Sequence, residues 1–268
     1  MLQENYKICF TLDLEQDYGR INEYLAFNHI PQLIELFKKY NLKLSVFVVA
    51  RVLEEKPEII KIFQDNLDCE FHVHSYDHEV NDIFTNKERE GKLKKAVEVY
   101  KKYFNKNPEG YRAPSGDLKK DEIKRLKELG FSFSSSFITT FRPGKFNNLN
   151  KSDGIFRHPN GLLEIPFSSL PFVKLPYSLG YFKILGWPLV KFLIRRKKYD
   201  RPAVFAFHLH DLKKLDNLEK LPKPLYKLFY LLRNRKNGFK ILEKFIKEMK
   251  KENYEPIKMS EIAKEIKK

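Results

Sequence analysis

The stretch Ile8-Cys9-Phe10-Thr11-Leu12-Asp13-Leu14-Glu15 has a period of two. Ile8, Phe10, Leu12 and Leu14 share one face and Thr11, Asp13 and Glu15 the other, so two carboxylates emerge side by side where a strand ends. That is where barrel enzymes place catalytic groups, although acidic residues after a strand also serve as loop solvation or helix caps. Outward from this stretch, short β-rich apolar runs alternate with longer Lys/Glu-rich amphipathic runs, the pattern of βα units around a parallel sheet or barrel. Strands are expected at 7–13, 43–49, 69–74, 110–113, 131–135 and 203–208, and helices at 23–40, 57–64, 87–104, 121–129 and 239–251. A short last helix is expected from Ser260, whose hydroxyl can cap it. Residues 1–268 read as a single domain without repeats or a low-complexity linker.

Residues 141–171 break the pattern with Gly, Asn and Pro clusters, and 141–198 as a whole reads as an extended insertion covering the barrel mouth. Its second half, 175–198, is rich in aromatics and ends in Arg195-Arg196-Lys197-Lys198. Two readings stay open for it: a core-packing helix with cations at its C-terminus, and a lid on an anionic membrane surface.

Net charge is +16, from 51 Lys and Arg against 35 Asp and Glu. Such a balance favours phosphates, anionic lipids or acidic glycans as partners. Much of the excess is Lys spaced along helices, and no helix-turn-helix, zinc-finger or RNA-binding signature accompanies it, so nucleic acid is not expected. Cys9 and Cys69 lie in separate strand-like runs and read as reduced thiols. The chain enters its first strand within a few residues, with no signal-peptide pattern, and no uninterrupted apolar segment reaches the ~18 residues of a spanning helix. A cytoplasmic protein, peripheral at most to the inner membrane face, is expected.

Glu70-Phe71-His72-Val73-His74-Ser75-Tyr76-Asp77-His78 concentrates three of the seven histidines. His74 and His78 are four apart, and a helical turn past the strand would bring both imidazoles to one side, as two-histidine metal sites require. His72 shares the strand face of His74, which leaves a His72/His74 pairing open. Tyr111-Arg112-Ala113-Pro114 ends another strand. Ala203-Val204-Phe205-Ala206-Phe207-His208-Leu209-His210-Asp211 ends a later one, with Ala206, His208 and His210 on one face.

These residues resemble the NodB-type polysaccharide deacetylases of carbohydrate esterase family 4. The family's Thr-Phe-Asp-Asp-Gly-like first motif is matched by Thr11-Leu12-Asp13-Leu14-Glu15, and its His-x-x-x-His motif by His74 to His78. Its Arg-x-Pro motif is matched by Arg112-Ala113-Pro114, and its late strand ending in His by Phe207-His208. The resemblance runs in order over 6–211 and is strongest to the Asp-x-Glu branch typified by exosortase-associated deacetylases.

It implies an α/β fold, a distorted (β/α) barrel of about seven strands, and a metal-dependent hydrolase that removes an N-acyl group, foremost acetyl, from an amino sugar. It further implies Asp13 as general base, Arg112 holding Asp13, His74 and His78 as metal ligands, and His208 as general acid. Leu14 stands where relatives carry a metal-binding Asp and cannot ligate, so Glu15 is the natural replacement and Asp17 the next candidate. Phe133-Ser134-Ser135-Ser136 lacks an acidic residue that often tunes the acid histidine, and His210, beside Asp211, competes with His208. Zinc is the expected ion, and the ligand types also suit iron, cobalt or nickel. Rival readings are a deformylase or cyclic-imide hydrolase on the same scaffold, or a degenerate glycan- or lipid-binding module. The expected substrate is a lipid-linked or nucleotide sugar.

Overall fold

The period-two stretch forms β1, Tyr6–Leu14, and its two faces part company as the alternation requires. Ile8, Phe10, Leu12 and Leu14 enter the larger apolar core, whereas Cys9 joins Phe47, Phe133 and Val204 in a smaller cluster on the other side of the sheet. The structure is a computed structural model that describes residues 6–78, 85–142, 145–196, 199 and 201–266.

After β1 come α1 (Ile30–Tyr40), β2 (Leu44–Val48), α2 (Ala50–Glu55), α3 (Pro57–Asn66), β3 (Cys69–Val73), α4 (Asn86–Phe104), β4 (Gly110–Tyr111), α5 (Lys120–Glu128) and β5 (Phe133–Ser134). Two short hairpins follow, β6 (Phe141–Arg142) with β7 (Phe146–Asn147) and β8 (Phe156–Arg157) with β9 (Leu163–Glu164). The chain then runs through α6 (Leu179–Leu185), α7 (Trp187–Arg195), β10 (Ala203–His208), α8 (Pro224–Arg233), α9 (Gly238–Lys251), β11 (Tyr254–Pro256) and α10 (Met259–Glu265). The main sheet has the order β10-β1-β2-β3-β4-β5-β9-β8, with β11 beside the start of β1. Its pairings are parallel except that of β8 with β9, and the sheet curls into the expected distorted barrel.

Register decides where chemistry can occur. Asp13 pairs with His208 on one side and Phe47 on the other, Val48 pairs with Val73, and Val73 pairs with Tyr111. The C-terminal ends of β10, β1, β3 and β4 therefore come level, bringing His208, Asp13, His74 and Arg112 to one edge.

The region expected to be a mouth-covering insertion divides differently. Leu163–Glu164 is a sheet strand paired in parallel with Phe133–Ser134. Beyond it the chain lies along the free edge of β10, where Ser168 N–H donates to the Val204 carbonyl (3.2 Å) and Ala206 N–H to that of Tyr177 (2.9 Å). Of the two readings for 175–198, core packing is realised in part: α6 and α7 both pack against α9. The helix expected over 23–40 starts at Ile30, because 25–29 form a 3-10 turn whose Leu25 and Ala26 N–H groups donate to the Asp17 carboxylate. Ser260 does not cap the last helix. It lies inside α10, where its N–H donates to Glu70, and Glu261 instead accepts from the Lys258 N–H.

Phe205 holds the helical layer to the sheet. Its buried ring lies 4.5 Å from that of Phe245 on α9, 5.4 Å from Phe182 on α6 and 5.8 Å from Phe10. Phe205→Ala should cost roughly 3–5 kcal/mol, the range for truncating a fully packed aromatic. Denaturant unfolding measures this, and a loss below about 1 kcal/mol would show that the cluster repacks around the gap.

Candidate active site

Two buried carboxylates, Asp13 and Glu15, lie two residues apart at the end of β1, and each has a different cationic environment. Arg112 Nη1 donates to Asp13 Oδ1 at 2.6 Å and to Thr11 Oγ1 at 2.9 Å. The rest of the guanidinium is spoken for: Nε donates to the Ser135 carbonyl and Nη2 to Ser135 Oγ, while the Phe47 and Phe167 rings lie 3.9 and 4.4 Å from its carbon. Of the serines after β5, Ser135 thus fixes Arg112, while Ser136 Oγ accepts from the Ala113 N–H. Burial works against ionised Asp13, but Arg112, His74 and His208 hold its carboxyl below the usual range.

Glu15 faces imidazoles instead. Its Oε2 lies 2.7 Å from His78 Nε2 and 3.7 Å from His74 Nε2. The far nitrogens of both rings are committed: His74 Nδ1 lies 2.8 Å from the Arg112 carbonyl and His78 Nδ1 3.0 Å from that of Gly19. Carbonyls only accept, so each Nδ1 carries the proton and donates, and each Nε2 presents a lone pair toward the carboxylate. Three acceptors converge on one point, and Glu15 Oε2 and His74 Nε2 have no hydrogen-bond donor there. Burial pushes the His74 imidazole down to about 4, keeping it neutral. The adjoining Glu15 outweighs burial at His78 and holds it above its ordinary value, so a proton and a cation would compete for its Nε2.

The expected helical turn between these histidines is absent. Ser75 and His78 instead have left-handed backbones, φ +61° and +56°, and this turn sets the ring centroids 5.0 Å apart. Gly19 completes the cradle: at φ +65°, an added Cβ would stand 2.6 Å from His78 Cε1 and Nδ1.

The remaining expected residues separate cleanly. His72 stays in the barrel interior, 2.9 Å from Glu70 and flanked by the Phe47 and Phe133 rings, away from the His74/His78 pair. Asp17 is consumed by the Leu25 and Ala26 N–H groups and by Asn217 Nδ2 (2.7 Å), so it has no free face toward the histidines. Leu14 is fully buried in the apolar core.

His208 and His210 both approach Glu15, their nearest nitrogens 3.8 and 3.9 Å from Oε1, and Glu15, His208 and His210 form a second group with metal-ligating geometry. The two rings stack at 4.7 Å but differ in access. His208 retains 22% of its side-chain exposure, and its Nε2 is also 3.6 Å from Asp13 Oδ2. His210 is 2% exposed, closed in by the Tyr18 and Tyr230 rings. Burial and neighbouring His208 push its pKa well down, while His208 is raised against burial by Asp211, Glu15 and Asp13.

Asp211 Oδ2 accepts from His208 Nδ1 (3.1 Å) and from Arg233 Nη2 (2.7 Å). Lys183 on α6, buried and lowered to about 8 by desolvation, donates to the Asp211 carbonyl (2.6 Å) and to Asn234 Oδ1 (2.7 Å). Helices α6 and α8 therefore clamp the turn that carries His208. Sequence reading passed over Arg233, Lys183 and Gly19. A His-x-x-Asp spacing in His208–Asp211 is the one local signal that pointed here.

Known proteins agree with this architecture. A family model described as polysaccharide deacetylase matches residues 17–134, a span that holds His74, His78 and Arg112 but stops short of Asp13, Glu15 and His208. A peptidoglycan deacetylase of Helicobacter pylori is 34% identical over 109 residues, 41% of this chain, and the match spans 37% of that protein's length. Among solved structures, a candidate polysaccharide deacetylase from Mycobacterium smegmatis superposes with TM-score 0.66 at 18% identity, covering 99% of this chain and 91% of that one. An allantoinase gives TM-score 0.66 at 14% identity, covering 97% and 89%. A carbohydrate esterase family 4 pseudoenzyme from Bacillus anthracis gives 0.55 at 15%, covering 97% and 66%. These last likenesses concern the fold alone. The family match covers less than half of this chain, and the chain spans about a third of the curated relative's length; what they show is a similarity to polysaccharide deacetylases over that span.

Proposed function

We propose that the protein is a metal-dependent hydrolase that removes an N-acetyl group from an amino sugar, with Glu15, His74 and His78 holding the ion. The observation that carries this reading is the convergence of Glu15 Oε2, His74 Nε2 and His78 Nε2, three buried acceptors with their lone pairs on one point. A cation satisfies all three at once, and two imidazoles with one carboxylate are a ligand set of catalytic zinc sites. The alternative group of Glu15, His208 and His210 fits less well. His210 faces Glu15 through Nδ1, and its Nε2 has no hydrogen-bond partner to fix the ring, whereas the far nitrogens of His74 and His78 are each held by a backbone carbonyl.

A divalent ion at this point supplies Lewis acidity, polarising the amide carbonyl and acidifying water. Around it the chain's own groups divide the proton work. Asp13, fixed by Arg112 and facing the same opening, accepts the proton of the attacking water. The new C–O bond forms at the acyl carbon, the C–N bond breaks, and His208 Nε2 delivers a proton to the departing nitrogen, releasing acetate and a free amine. Asp211, held by Arg233, keeps the His208 ring oriented with Nε2 toward the site and favours its charged form. The Asp13–Glu15 spacing supports the Asp-x-Glu branch, and the basic surface supports an anionic substrate, foremost a lipid-linked or nucleotide sugar. Of the four adjacent cations at 195–198, Arg195 pairs with Glu248 and Arg196 lies over the Phe192 ring. Lys197 and Lys198 lie outside the described residues.

Three measurements test these roles. Glu15→Ala should release the ion and abolish amine release, whereas Asp13→Asn should retain metal near wild-type occupancy and lose almost all turnover. An Asp13→Asn protein without metal, or an active metal-loaded Glu15→Ala protein, would reverse the assignment. His208→Ala should lower kcat roughly 10²–10⁴-fold, the usual cost of a lost general acid. His210→Ala should cost less, and the opposite ranking would move the acid role to His210. Gly19→Ala should weaken zinc binding about 10–100-fold in competition with a chelator, because it displaces His78 from the carbonyl that orients it. Affinity within about twofold of wild type would show that the Gly19 contact does not organise the ligand.

A further inference from the structure

Helix α8 is amphipathic the wrong way round for a water-soluble surface. Its inner face carries Tyr230, whose ring lies 4.6 Å from Tyr18 and 5.5 Å from His210, and Arg233, buried on Asp211. Its outer face carries Leu225, Leu228 and Leu232, at helical spacing of three and four, with Leu231 beside them. Leu225 is 74% and Leu228 54% exposed. Helix α6 packs against both α7 and α8, and α7 also exposes two large apolar side chains, Leu189 and Phe192. An isolated exposed leucine is ordinary, but a leucine stripe on a helix whose arginine and tyrosines point inward is a contiguous patch that calls for a partner.

Charge identifies that partner. No acidic residue lies between Glu219 and Glu243, or between Glu164 and Asp200, the two stretches that supply α8 and the α6–α7 pair. Lys223 precedes the leucines, Lys227 lies between Leu225 and Leu228, and Arg235 and Lys236 follow Leu232. Cations bordering an apolar stripe match an anionic bilayer, whose hydrocarbon receives the leucines while its headgroups meet the ammonium and guanidinium groups. A second copy of this chain would bring the same positive charge to the interface and so be repelled. Among the described residues no helix is long and apolar enough to cross a membrane, so the contact is one of surface docking.

We propose that α8, extended by α7, docks this protein on an anionic phospholipid surface, so that the site meets its amino sugar at the lipid boundary. For the chemistry delivered there this rests on the deacetylase reading above, while the docking itself stands on α8 alone. The inner face of the docking helix is a wall of the candidate site, through Tyr230 and Arg233, so the site opening and the bilayer contact are parts of one structural unit.

The test is flotation of this chain with vesicles of phosphatidylcholine mixed equally with phosphatidylglycerol, compared with phosphatidylcholine alone, for wild type and for Leu225→Ser/Leu228→Ser/Leu232→Ser. The wild type should bind the anionic vesicles and bind the neutral ones far less. The triple variant should bind at least about tenfold more weakly, with its melting temperature and its amine release from a soluble acetylated amino sugar unchanged, as expected when only inserted apolar area is lost. No wild-type binding, equal binding of wild type and variant, or equal binding to neutral vesicles would overturn the proposal. So would a wild-type dimer that the triple substitution converts to monomer. Vesicle binding needs no turnover, so a protein that docks without releasing amine from any substrate would overturn the deacetylase reading and leave the docking intact.

Discussion

Two buried carboxylates two residues apart on one strand are the constraint from which the rest of this site follows. Removing a carboxylate from water costs several kcal/mol even after the protein relaxes, and two neighbours of like charge raise that cost further. Asp13 is compensated by a fixed guanidinium, Glu15 by imidazole nitrogens that leave room for a cation. Each solution constrains much of the fold. Arg112 is aligned by Ser135 and by the Phe47 and Phe167 rings, drawing β2, β5 and the segment after β9 into the site. The histidines are aligned by backbone carbonyls from the loops after β1 and β4. The arrangement is weak evidence for stability, since a buried ion pair often contributes less than apolar packing would. Its physical rationale is orientation: a carboxylate and a set of imidazoles whose rotamers are fixed by the fold itself.

The same division explains the later part of the chain. His208 sits at the end of β10, level with Asp13, but register alone does not orient an imidazole. Asp211 does so from within one turn, and Asp211 is itself held by Arg233 from α8 and by Lys183 from α6. These two helices lie outside the repeating βα pattern, and they link the His208 side of the site to the exposed apolar surface.

Much of the site was legible because strands translate sequence period directly into geometry. Asp13 and Glu15 share a face by alternation, the parallel barrel brings strand ends level, and short motifs at those ends locate His74, His78, Arg112 and His208. What could not be read depended on contacts between residues distant in the chain. Asp17 stays open in the sequence as the candidate behind Glu15, but its oxygens lie on the Leu25 and Ala26 amides and on Asn217. His74 and His78 meet through a left-handed turn rather than a helix, a backbone state that neither residue type announces. Arg233 lies 22 residues beyond Asp211 in a helix that shows no catalytic motif. That helix itself escaped notice because its leucines face outward, and a periodic apolar pattern records amphipathicity without saying which side meets water.

The central claim is that one carboxylate and two imidazoles, Glu15 with His74 and His78, hold a divalent ion. X-ray absorption spectroscopy of the zinc-loaded protein tests it most directly, comparing wild type with His78→Ala and His210→Ala. Two imidazoles with oxygen donors in the wild type, one imidazole fewer in His78→Ala and an unchanged spectrum in His210→Ala are the predicted results. An imidazole lost in His210→Ala but retained in His78→Ala would contradict the account and move the ion to the Glu15, His208 and His210 side of the site.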